Sequence, residues 1–136
     1  MSTTSEPVQE TGGCACGAVR FRVSAPPGRV SICHCMTCRR IHGSAFGGYA
    51  MFERDAVQFS GPTQAWQSSP GAQRHFCPTC GSVAFMDSAD SAELDIPLGA
   101  FDRTGIYTPT YELWCCHKEP WLPSGVRTEY GEGRPG

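Results

Sequence analysis

The chain has 136 residues, 40% of them hydrophobic, with a formal net charge of -2. That length predicts one compact domain, and the faintly acidic balance argues against a nucleic-acid partner, which would need a basic face. No run of about 18 apolar residues occurs, so no membrane-spanning helix is expected.

Residues 1–11 read as a flexible, polar lead-in without the basic start or apolar stretch of a secretory signal, so a cytoplasmic location is the default expectation. The folded domain is expected over 12–122. In chain order, the pair in CAC (Cys14, Cys16) comes first; if extended, it presents both thiols on one side. AVRFRV then alternates Val19, Phe21 and Val23 against Arg20 and Arg22. RVSIC (29–33) is the next strand candidate, and the one plausible helical turn lies around Thr37–Ile41. Short strand candidates follow at GYAMF (48–52), AVQF (56–59), TQAWQ (63–67), QRHF (73–76), SVAFM (82–86), ELDIPL (93–98) and YELWCC (111–116). Sixteen glycines and eleven prolines punctuate them, and residues 123–136 read as a flexible tail. The prediction is an all-β domain with little helix.

Nine cysteines dominate the chemistry. An odd count, the expected reducing compartment and the poor geometry of Cys-x-Cys neighbours for bridging favour metal over disulfides. CPTCG makes a tight knuckle of Cys77 and Cys80; with Cys14 and Cys16 it completes a four-thiolate set suited to a structural zinc, or to iron with the same ligands. Cys33, Cys35 and Cys38 remain together in CHCMTCRR. Three thiolates leave a metal one open position, the mark of a catalytic zinc, unless His34 or, better placed, His42 closes the shell. A metal-free redox trio is the alternative. Arg39 and Arg40 are candidates to offset the anionic centre or to clamp the carboxylates of a bound ligand. Cys115 and Cys116, adjacent on an expected strand, point to opposite faces and serve packing, as do Trp66, Trp114 and Trp121. His75 is expected near the surface beside the knuckle.

The blocks GGCACGAVRF, CHCMTCRRIHGSAF, RHFCPTCGS, LGAFD and KEPWL resemble the glutathione-dependent formaldehyde-activating enzyme family, whose domain centromere protein V shares. The similarity spans about residues 12–122. It implies an Mss4-like fold of small packed antiparallel sheets, a structural zinc on Cys14, Cys16, Cys77 and Cys80, and a second, catalytic zinc on Cys33, Cys35 and Cys38. It also implies a carbon–sulfur lyase that joins formaldehyde to glutathione as S-hydroxymethylglutathione, or the reverse. PTYELW carries Glu112 where many members have histidine. The rival expectations are a zinc-stabilised binding module without catalysis and a thiol redox protein.

Overall fold

The computed structural model describes residues 9–134. The fold is mainly β, as expected. Eleven strands, β1 (Glu10–Gly13), β2 (Arg20–Val23), β3 (Arg29–Cys33), β4 (Gly47–Glu53), β5 (Val57–Ser60), β6 (Gln64–Ser69), β7 (Ala72–Phe76), β8 (Val83–Ser88), β9 (Glu93–Pro97), β10 (Tyr111–Leu113) and β11 (Thr128–Glu129), accompany one α-helix, α1 (Met36–His42). They form a three-stranded sheet in the order β1-β2-β5 and an eight-stranded sheet in the order β11-β10-β3-β4-β9-β8-β7-β6. Pairings are antiparallel except β10 with β3 and β10 with β11, which are parallel.

Alternation fixes which side of each strand is covered. Phe21 and Val23 from the small sheet meet Val30, Ala50, Phe52 and Ile96 from one face of the large sheet, with Phe101 closing the cluster. Phe52, Ile96 and Val23 have no exposure, and each contributes roughly 1.5–3 kcal/mol by burial. The opposite face of β3 and β4 is covered too, by a second cluster of Cys33, Cys38, Tyr49 and Met51. Burial on both faces explains why β4 is apolar at consecutive positions.

Several sequence expectations change here. Residues 1–8 of the lead-in lie outside the described residues, but Glu10 and Thr11 belong to β1. There Glu10 is buried, pairs with Val23 and accepts from Arg103. The segment 123–136 is not simply a tail, because it contains β11, docked on β10. YELWCC extends only to Leu113: Trp114 adopts φ 57, and Cys115–His117 turn as a 3₁₀ helix, so the two cysteines do not straddle a strand. No helix among the described residues is long and apolar enough to cross a membrane.

Candidate metal centres

Cys14 leaves the end of β1 in a turn closed by the Gly17 amide on its carbonyl at 3.2 Å. This turn, rather than strand alternation, brings Cys16 Sγ to 3.6 Å from Cys14 Sγ. The knuckle after β7 is built as its sequence suggests. The Cys77 amide donates to Ser82 O at 2.9 Å, the Gly81 amide donates to Cys77 O at 2.8 Å, and Gly81 takes φ 79, which favours glycine. Cys16 Sγ lies 3.8 Å from Cys77 Sγ, and all four sulfurs lie within 4.8 Å of one another. A zinc held at about 2.3 Å by four sulfurs sets tetrahedral sulfur–sulfur edges of about 3.8 Å. The quartet fits that ion.

Protonation points the same way. The Ser82 hydroxyl and backbone amides hold Cys80 down to about 5, and the Val19 amide lowers Cys14. Cys16, although the Ala18 amide favours its thiolate, is pushed up to about 11 by Cys14 and by burial. Without a cation Cys14, Cys16 and Cys80 hold protons unequally; a divalent ion favours the thiolate form of its sulfur ligands.

The trio forms where β3 runs into α1. Cys33 ends the strand, and Cys35 is the residue that caps the helix, its Sγ accepting from the Cys38 amide at 3.3 Å. Cys38 sits in the first turn, and Gly43 ends the helix in the left-handed conformation at φ 57. The three sulfurs lie within 4.8 Å of one another, with Cys33 and Cys38 buried and Cys35 partly open. The neighbouring thiols Cys33 and Cys38 hold Cys35 down to about 2, while Cys35, Cys38 and burial raise Cys33. Thiolates this close repel one another unless a cation sits between them, so this donor set also fits a cation.

Neither histidine closes the trio's shell. His34 turns away: its Nε2 donates to Glu112 Oε1 at 2.8 Å, both groups being buried. His42 Nε2 lies 2.6 Å from Tyr49 Oη, and Tyr49 donates to Cys38 Sγ at 3.4 Å. Because tyrosine has one hydrogen, spent on the sulfur, His42 is the donor in that pair. Gly47 makes the arrangement possible, since a Cβ there would stand 2.8 Å from both His42 and Tyr49 Oη. Burial and the nearby Arg74 cation lower the His42 pKa, while burial and Cys38 raise that of Tyr49.

The cation beside the trio is Arg74, which the sequence reading did not single out. It is 7% exposed, directs both terminal nitrogens at Cys38 Sγ (3.7 and 3.8 Å), and donates to Tyr49 Oη at 3.3 Å. Arg39 is occupied elsewhere, by Glu119 at 2.6 Å and the carbonyls of Ala45 and His117. Arg40 is exposed and borders a cavity of about 330 Å³ with Met36, Thr37, Ile41 and Trp66. A larger cavity of about 710 Å³ separates the quartet from the end of α1, with Cys14, Ser82, Gly48 and His42 in its wall. No trio sulfur lines it; His42 is its link to Cys38, through Tyr49.

His34, Glu112 and Cys115 form a third group of possible donors. Lys118 Nζ at 3.2 Å and Arg127 Nη1 at 2.9 Å already bring two cationic groups to Glu112. Burial works against the Glu112 carboxylate, yet His34, Lys118 and Arg127 together hold its pKa below the ordinary value. Cys116 is exposed. His75 stacks on Phe85, centroids 4.1 Å apart. Trp114 packs against the trio cluster, but Trp66 and Trp121 are 54% and 70% exposed, against the packing role expected of them.

Three comparisons bear on this arrangement. A sequence model described as glutathione-dependent formaldehyde-activating enzyme matches residues 9–117. A Halomonas elongata protein bearing a provisional name of the same wording is 37% identical over 101 residues, covering 65% of this chain and 62% of its own length. A Schizosaccharomyces pombe protein named only as an uncharacterised lyase is 30% identical over 74 residues, 54% of each chain. The chain therefore spans about six-tenths or less of these relatives. The crystal structure of a Rhodobacter sphaeroides protein superposes with a TM-score of 0.58 at 23% identity, covering 71% of this chain and 90% of that one, a likeness of fold.

Proposed function

The chain belongs to the glutathione-dependent formaldehyde-activating enzyme family, and on that premise we propose that it is a zinc-dependent carbon–sulfur lyase. It forms or cleaves the adduct between a small aldehyde, such as formaldehyde, and a low-molecular-weight thiol, such as glutathione. One observation carries this reading: three sulfurs converge while both histidines able to complete their shell are hydrogen-bonded elsewhere. Cys33, Cys35 and Cys38 would hold the working zinc, and Cys14, Cys16, Cys77 and Cys80 the one that braces the fold. Bound in the trio, zinc supplies a Lewis-acidic centre able to keep a thiol deprotonated or to polarise an aldehyde oxygen.

The chain's own residues prepare that centre. Arg74 and Tyr49 donate to Cys38, drawing charge from the sulfur, and His42 fixes the Tyr49 hydroxyl. Arg40, exposed two residues after Cys38 in α1, is the remaining candidate to meet a carboxylate of the thiol, whereas Arg39 anchors the helix through Glu119. Free thiols throughout suit a reducing compartment such as the cytoplasm. The test is NMR of formaldehyde and glutathione mixtures with and without the protein. Exchange between free and adduct forms should accelerate with wild type and not with Cys35→Ser. Equal exchange with both proteins would overturn the lyase reading in favour of a zinc-stabilised binding module.

A further inference from the structure

We propose that the segment carrying Arg127 and β11 is a brace for the trio: through Glu112 and His34 it fixes the Cys33–Cys35 loop and so sets how firmly the second metal is held. The metal half of this statement rests on the reading of the trio above; the brace itself rests on geometry.

His34 stands between two of the three trio cysteines and is 1% exposed. β10 holds it twice: its amide donates to Leu113 O at 2.9 Å, and its ring Nε2 donates to Glu112 Oε1 at 2.8 Å. Its Nδ1 has no partner among the described residues, so Glu112 is the one side-chain hydrogen bond that orients the ring. Glu112 is 2% exposed, and its second oxygen accepts from Arg127 Nη1 at 2.9 Å. A buried carboxylate keeps its place only while its oxygens are satisfied. Without Arg127, Oε2 loses its donor, and the carboxylate is held at Oε1 alone, by His34 and by Lys118 Nζ at 3.2 Å, about which it can then turn.

The segment is seated independently of that pair. β11 pairs with β10 in register Glu112↔Glu129, and the Tyr130 amide donates to Glu112 O at 2.9 Å. Trp114, at φ 57, turns the chain so that the Trp114 and Cys115 amides donate to the Glu132 and Tyr130 carbonyls, each at 3.0 Å. Arg127 can therefore be replaced with much of the docking intact. It also lies outside the residues matched by the family model, 9–117.

Groups hydrogen-bonded directly to metal ligands commonly change metal affinity 10–100-fold when lost, and Arg127, which acts through Glu112 and His34, is placed at the lower end of that range. In full-length zinc-loaded protein titrated with a chelator, Arg127→Ala should release one zinc at about tenfold lower chelator concentration and keep the other, while Arg127→Lys restores most of the affinity. A second readout needs no bound metal in the trio. After the labile zinc is removed, iodoacetamide labelling mapped by mass spectrometry should mark Cys33 and Cys35 several-fold faster in Arg127→Ala. Unchanged labelling and release overturn the brace, as does parallel loss of both zincs with a lower melting temperature, which would make Arg127 a general fold contact. If wild type carries only one zinc, the lyase reading fails, and the labelling rates still decide the brace.

Discussion

Arg74 supplies the trio with its buried positive charge, and this gives a first prediction. Arg74→Met keeps an unbranched apolar stem but removes the donors to Cys38 and Tyr49. Charge-assisted bonds of this kind are worth about 1.5–3 kcal/mol. The variant should surrender the trio's metal about tenfold more readily to chelator, with the quartet unaffected. Cys35→Ser and Cys77→Ser separate the two sets. Cys77 has no exposure and packs with Val19 and Ala84, so its loss should unfold the domain in a melting experiment, whereas Cys35→Ser should melt nearly as wild type. Identical melting curves would mean the ligands are divided wrongly. Asp95 gives a pH test: burial raises it to about 6, Arg29 pulling against that. A raised folded pKa means stabilisation that is complete below the unfolded value near 4 and lost as pH rises through about 6. Asp95→Asn should therefore flatten the stability profile between pH 4 and 6. At pH 7 it should gain about 1–3 kcal/mol over wild type in urea unfolding.

Among the elements, those with alternating or capped sequences were legible and those made by contact alone were not. RVSIC is β3 to the residue, and the helical turn foreseen at Thr37–Ile41 grows by one residue at each end because Cys35 caps it and Gly43 stops it. β1 reads ETGG, polar and glycine-rich, and is held by distant partners: β2, the Phe101–Asp102 backbone and Arg103 on Glu10. β11 is two residues long, with no pattern to read. Arg74 was hidden for the same reason. It reaches Cys38 across 36 positions through strand register, whereas Arg39 and Arg40 were near in sequence only. The glycine at 61 has a requirement that sequence could not disclose: at φ 96, an added Cβ would stand 2.0 Å from Ala18 O. Gly61→Ala should cost at least about 1–2 kcal/mol from the left-handed backbone alone, more with the clash, measured as a loss in thermal or urea stability.

At the scale of the molecule, the partition of seven cysteines into four and three was readable because pairs and a cluster are local patterns, and the fold places each set together. The identity of what completes the trio was not readable, because it depends on where His34, His42 and Glu112 turn. Native protein purified without chelator should carry about two zincs per chain, one of them labile; a single tight zinc with reactive Cys33, Cys35 and Cys38 would speak for a redox or binding role.

The quartet joins thiols 61 positions apart, and this orders events during translation. Cys14 and Cys16 leave the ribosome early and wait until Cys80 has cleared the exit tunnel before their cluster can close. The loop of Cys33, Cys35 and Cys38 is complete sooner, and Arg127 follows well after both sets. On the reading proposed above, a nascent chain would load its second site before Arg127 is in place, and the ion there would become slow to exchange only once β11 has docked on β10.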